Sequence, residues 1–170
     1  MTSIIIAIVG PSGCGKTTLA EYLKIKLDIP VIVSYTTRPI RENEVDGIDH
    51  HFVSDKEMPQ RNEMLAYTQF GGYHYWAHIS QVPCDGVCSY VIDERGLIEL
   101  QARFGQRYRI IPILIQRNEQ ILRSTIDAER LQRDLSRIPI KETTYHAVIQ
   151  NNGSLKEFLN QALTTIKTLI

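Results

Sequence analysis

Gly10-Pro11-Ser12-Gly13-Cys14-Gly15-Lys16-Thr17 stands between an apolar run, Ile4 to Val9, and a helical pattern in which Leu19, Leu23 and Leu27 recur four apart. The order is strand, glycine-rich loop, helix, and the loop matches Gly-x-x-x-x-Gly-Lys-Thr position for position. Glycines let the backbone wrap so that successive N–H groups point inward at an anion, and the helix that opens there adds its positive end. Lys16 carries a point charge toward the β- and γ-phosphates of a bound triphosphate, and the Thr17 hydroxyl is placed to ligate Mg²⁺. The residues expected to hold ATP are Gly10, Ser12, Gly13, Cys14, Gly15, Lys16, Thr17 and Thr18.

The chain of 170 residues fits one domain with a real core, 1–170, and room for small insertions. Nineteen basic residues balance nineteen acidic ones, so nothing in the charge favours nucleic acid or an anionic membrane as partner. No apolar run reaches membrane-spanning length, and the first core strand begins at once, leaving no room for a leader. Three cysteines, Cys14, Cys84 and Cys88, make no disulfide framework and suit a reducing compartment. A cytoplasmic protein, monomer or homodimer, is expected.

Past the first helix, Ile29-Pro30 breaks the pattern and Val31 to Ser34 reads as a second buried strand. A polar segment from Tyr35 to Asp49 follows, then a short strand to Val53 and a capping-box signature at Ser54-Asp55-Lys56-Glu57. Met64 to Phe70 and Tyr73 to Tyr75, joined by Gly71-Gly72, predict an aromatic-rich hairpin. Residues 35–80 thus form a small, mostly β insertion. Strands are predicted again at Val87 to Ile92, Arg109 to Ile115 and Ala147 to Gln150. Helices are predicted at Gly96 to Phe104, Asn118 to Leu122, Glu129 to about Arg137, and from Ser154 to the end. Strands alternating with helices give an α/β fold with a parallel sheet covered on both faces, whose ligands gather at the strands' carboxyl ends. The glycine loop, Ser34 and Asp93 all lie at such ends.

A second anion site is suggested by Arg38 and Arg41, three residues apart, which can clamp a phosphate in a planar geometry that lysine cannot reproduce. Tyr75 can add a phenolic donor. On composition alone, an ordinary solvated charged loop explains the segment equally well.

The segment from Ser34 to Val53 reads Ser-x-Thr-Thr-Arg-x-x-Arg-x-x-Glu-x-x-Gly-x-Asp and ends in Phe-Val. This resembles the signature of guanylate kinases, whose Gly-Pro-Ser-Gly-x-Gly-Lys loop is matched by Gly10 to Lys16. Their later Gly-x-Tyr-Tyr motif is echoed by Gly72-Tyr73-His74-Tyr75. The resemblance implies a P-loop kinase core with a five-stranded parallel sheet in the order 2-3-1-4-5. It also implies that the insertion binds a nucleoside monophosphate and that a short lid spans 124–129. By position, Arg38, Arg41 and Tyr75 resemble acceptor-phosphate contacts, Ser34 a base contact, and Glu44 a support for the arginines.

Departures from the family cluster at the base. Ala66 replaces a glutamate that accepts from guanine N1 and N2, and Ala77 replaces a base-reading serine or threonine. His50 stands for a phosphate-binding tyrosine, Trp76 for a glycine, and Val91 for the first acid of an Asp-x-Asp ending at Asp93. Trp76 either stacks on a base or fills the space beside the two alanines. The lid is shortened to Ser124-Thr125-Ile126-Asp127-Ala128.

The expected reaction moves the γ-phosphoryl of ATP onto the phosphate of a mononucleotide, GMP or a relative. An acceptor phosphate is already mostly dianionic at neutral pH, so alignment and charge cancellation replace a general base. The catalytic candidates are Lys16, Arg38, Arg41 and Arg130, and Mg²⁺ is expected at Thr17 with Asp93 as an indirect partner. Substrate contacts are expected from Ser34, Arg38, Arg41, Glu44, His50, Tyr75 and Trp76. Arg123 and Arg133 are read as surface ion pairs. A kinase for a sugar phosphate and a non-catalytic binding module are the alternatives.

Overall fold

The computed structural model describes residues 2–126, 134 and 140–170. The first half contains β1 (Ile4–Val9), α1 (Lys16–Leu27), β2 (Val31–Ile32), β3 (Tyr35–Thr36), β4 (His51–Phe52), β5 (Met64–Phe70) and β6 (Tyr73–His78). The second contains β7 (Val87–Val91), α2 (Glu94–Phe104), β8 (Arg109–Gln116), α3 (Glu119–Thr125), β9 (Ala147–Gln150) and α4 (Leu155–Leu169).

β1 explains the layering. Its uninterrupted apolar run is what a strand buried on both faces requires. Ile6 and Ile8 pack with Leu19 and Leu23 of α1 and with Phe158, Ala162 and Ile166 of α4. Ile5, Ala7 and Val9 point to the opposite face, where Leu97, Leu100 and Phe104 of α2 meet Leu65, Ala66 and Ala77. β1 pairs in parallel with β7 on one side and β8 on the other. The whole sheet runs β2-β7-β1-β8-β9, all parallel. Numbering these five strands among themselves gives 2-3-1-4-5, the order implied by the resemblance.

Residues between β2 and β7 build a second sheet, ordered β4-β3-β6-β5. β2 is shorter than its apolar run because the chain changes sheets at Ser34, whose carbonyl accepts from His51 N–H at 2.8 Å. α2 begins two residues earlier than the apolar pattern indicates, because the Asp93 carboxylate accepts from Gly96 N–H at 2.7 Å and caps it. α3 runs past Leu122 to Thr125, so the expected lid segment opens inside a helix. Asp127, Ala128, the helix predicted from Glu129 to Arg137 except residue 134, and both Arg130 and Arg133 lie outside the described residues. No helix among the described residues is long and apolar enough to cross a membrane.

Candidate active site

The loop after β1 owes its shape to two glycines. Gly10 lies at φ +154°, and a Cβ there would sit 2.5 Å from the Ile115 carbonyl oxygen and 2.7 Å from Cys14 Sγ. Gly15 caps α1 at φ +104°, where a Cβ would meet Asn151 Nδ2 at 2.7 Å and Phe158 at 3.2 Å. Asn151, only 8% exposed, donates from that amide to the Cys14 carbonyl at 2.8 Å. Arg117 braces the outer side by donating to the Gly13 carbonyl at 2.8 Å.

The loop's polarity is visible in what it holds. Ser12 N–H donates to the Asp134 carboxylate at 2.8 Å, and the Ser12 hydroxyl donates to its other oxygen at 3.2 Å. An anion therefore lies against the loop amide, as the backbone geometry favours. Lys16 folds back over the loop and donates to the Gly10 and Pro11 carbonyls at 2.8 and 2.7 Å.

A cleft of about 230 Å³ opens between this loop and the second sheet. Gly10, Ser12 and Lys16 line one end; Ser34, His50, Ala66, Thr68, Gln69 and Tyr75 line the other, with Tyr90 and residues 91–95 along the floor. The loop lysine and the far-side Ser34, His50 and Tyr75 thus share one cavity. A second cavity, about 370 Å³, lies on the other side of Lys16 and is lined by Thr17, Thr18, Arg117, Asn151 and Phe158. Thr17 and Asp93, the expected metal pair, line different cavities, and Asp93 spends one carboxylate oxygen on the α2 cap.

Arg38 does not line the cleft. It is 7% exposed and binds Glu44 through two parallel hydrogen bonds, with a third bond from Nη1 to its neighbour Pro39's carbonyl at 2.7 Å. Burial disfavours its charge, but the Glu44 hydrogen bonds and charge, with Tyr75 beside it, outweigh this and hold the guanidinium above its ordinary value. Glu44 also accepts from Arg41 N–H at 2.9 Å, so one carboxylate fixes both arginine positions.

Trp76 does not reach the cleft either. Successive residues on a strand face opposite sides, so with Tyr75 in the cleft its neighbour points away. Trp76 is 1% exposed and stacks on Tyr35 across the sheet with ring centres 5.7 Å apart. It fills the interior of the second sheet and leaves no face for a base. Arg123 pairs with Glu119 on the surface of α3. Sequence reasoning passed over Glu94, Tyr90, Asp134, Arg117 and Asn151. A signal existed for Asn151, which follows directly on the last parallel strand, where such sheets bind ligands.

The guanylate kinase family model matches residues 2–169. A guanylate kinase of Helicobacter hepaticus is 28% identical over 172 residues, covering 96% of this chain and 85% of the relative. One from Salinibacter ruber is 33% identical over 147 residues, covering 79% of this chain and 78% of the relative. Among solved structures, a guanylate kinase from Anaplasma phagocytophilum superposes with a TM-score of 0.71 at 20% identity, covering 99% of this chain and 86% of the other. A sugar kinase from Janibacter superposes at 0.54 and 12% identity, covering 97% of this chain and 95% of the other. At those identities the two structures speak for the fold alone, whereas the family match runs from end to end. The chain belongs to the guanylate kinase family, a family of ATP-dependent nucleoside monophosphate kinases.

Proposed function

We propose that this chain transfers the γ-phosphoryl group of ATP to the phosphate of a nucleoside monophosphate, GMP or a related mononucleotide, yielding ADP and the diphosphate. The observation that carries this reading is the shared cleft, with Lys16 and the loop at one end and Ser34 and Tyr75 at the other.

Loop amides and Lys16 hold the donor phosphates; the Asp134 carboxylate already accepting from Ser12 N–H is an internal sign that the loop fits an anion. Thr17 is the residue proposed to hold Mg²⁺, which would offset negative charge on the donor phosphates, while Asp93, which lines the other cavity, is proposed only as an indirect partner. Arg41 and Tyr75 receive the acceptor phosphate, with His50 beside them. Arg38 has five N–H donors, and its three bonds to Glu44 and Pro39 leave two for Tyr75 and the acceptor. An acceptor oxygen forms the new bond to Pγ as the bond from Pγ to the β-bridging oxygen breaks, and ADP carries that electron pair away. No proton need move, because the attacking phosphate is mostly dianionic. Alignment against mutual charge repulsion is therefore the chain's main contribution, and Arg130 is proposed to join it. Residues 35–80 serve as the acceptor-binding insertion and 124–129 as the lid.

ADP release measured with GMP, dGMP, AMP, CMP, UMP and ribose phosphates tests the assignment. Turnover is expected with at least one mononucleotide and is expected to fall at least about 100-fold in Lys16→Ala. Turnover confined to ribose phosphates, or untouched by that substitution, refutes it.

A further inference from the structure

The described lining of the cleft carries two permanent cations, Lys16 and Arg95, against the carboxylates of Asp93, Glu94 and Asp134. Lys16 is held to the loop by its bonds to the Gly10 and Pro11 carbonyls. Arg38 is not part of the lining and spends three bonds on Glu44 and Pro39. Arg95 is exposed, and among the described residues it makes no hydrogen bond, ion pair or ring contact. It is the second residue of α2, just past the Asp93 cap. A cation in the first turn of a helix opposes the macrodipole. The acids beside it bring little relief, because residues one or two apart on a helix do not face each other. The sheet sets this cation between the two halves of the cleft. β7, which leads into α2, lies between β1 and β2. Val91 pairs with Ile8 and Ile92 N–H donates to the Ile8 carbonyl at 3.1 Å, two residues before the phosphate loop begins at Gly10. On the other side, β2 leads to Ser34 and the second sheet.

Resting on the mononucleotide-kinase reading, we propose that Arg95 is a further catalytic residue, whose guanidinium bridges the acceptor phosphate and the γ-phosphoryl group during transfer. A guanidinium presents five N–H donors in one plane, so a single fork can hold an oxygen of each phosphate. That contact is complete only when both substrates are bound, and it offsets the repulsion that opposes their approach. Because the donors are fixed before the reaction begins, they act most strongly where charge spreads over the transferring group. Arg95 forms no covalent bond and gives up no proton. Its placement against the helix dipole is offset only when the two anions occupy the cleft, as expected of a group positioned for them and not for the fold.

Steady-state kinetics on the full chain, with ATP and the mononucleotide turned over fastest, test this alongside calorimetric melting. In Arg95→Gln, kcat is expected to fall about 100-fold while the KM values for ATP and acceptor stay within about threefold. The same variant should melt at the wild-type temperature or slightly above it, since the helix sheds an opposed charge. Arg95→Lys, which keeps the charge but not the fork, should recover part of the lost rate. It carries the test alone should the glutamine variant fail to fold, with a kcat between one half and one hundredth of the wild type expected, roughly, and an unchanged melt. A kcat equal to the wild type in the variants, or a fall in kcat matched by a lower melting temperature, overturns the proposal while leaving a mononucleotide kinase in place. A wild type inert toward every mononucleotide removes both readings.

Discussion

Arg38 and Glu44 meet fork to fork, Nη2 to Oε1 at 2.9 Å and Nη1 to Oε2 at 3.0 Å, with both side chains mostly buried. The pair turns a charged loop into a fixed platform. Burial opposes the Glu44 charge, but the Arg38 hydrogen bonds, the Arg41 backbone N–H and the charge of Arg38 together hold its carboxyl below the ordinary value of 4.5. A lowered folded value means that the pair's stabilisation is whole above about 4.5 and is lost as pH falls through the folded value. Glu44→Gln is therefore expected to cost about 3 kcal/mol at pH 7, where the Arg38 charge is left without its partner. Urea melts should show that difference shrinking in acid. An equal difference at pH 7 and well below pH 4.5 contradicts the assignment.

Gly15→Ala adds a Cβ in left-handed backbone, against the Asn151 amide and the Phe158 ring. Left-handed conformation costs about 1 to 2 kcal/mol for alanine, and overpacking adds about 1 to 3 more. The variant should melt at lower temperature and raise the KM for ATP, whereas the KM for GMP should move much less. Calorimetry together with initial rates checks both halves. Unaltered ATP affinity would mean that the loop does not depend on the brace beneath it.

Cys14 and Cys88 are fully buried and Cys84 is exposed. Burial alone raises the Cys88 thiol to about 12, far from the thiolate form that reacts. A disulfide reagent at pH 8 should modify one thiol in the native protein and three in denaturant. Labelling of Cys88 at the rate of Cys84 would contradict the packing.

Much of this site lies in contiguous sequence. The phosphate loop is spelled out from Gly10 to Thr17, whereas Ser34, Arg38, Arg41 and Glu44 occupy one segment that only the family resemblance separates from an ordinary solvated loop, and of these Ser34 lines the cleft. The expectation that both Tyr75 and Trp76 meet the acceptor overlooks that neighbours on a strand cannot both enter one cleft. Glu94 was not legible, because an acid at a helix start looks solvated until β5 is packed against it. Nor was the register shift between Leu65 and Thr68, where Ala66 takes a φ of +52°. Alanine carries no local preference for that conformation, so only the surrounding sheet imposes it. Asp134 reaches Ser12 across 122 positions, a separation no periodicity encodes.

The phosphate loop leans on residues near the opposite end of the chain, with Asn151 under Cys14 and Phe158 under Gly15. A ribosome-bound chain that has emerged only as far as β8 already possesses every residue of the loop but not its floor. Nucleotide capture must then wait for α4 to emerge and dock. ATP added during synthesis is expected to protect only chains long enough to include α4.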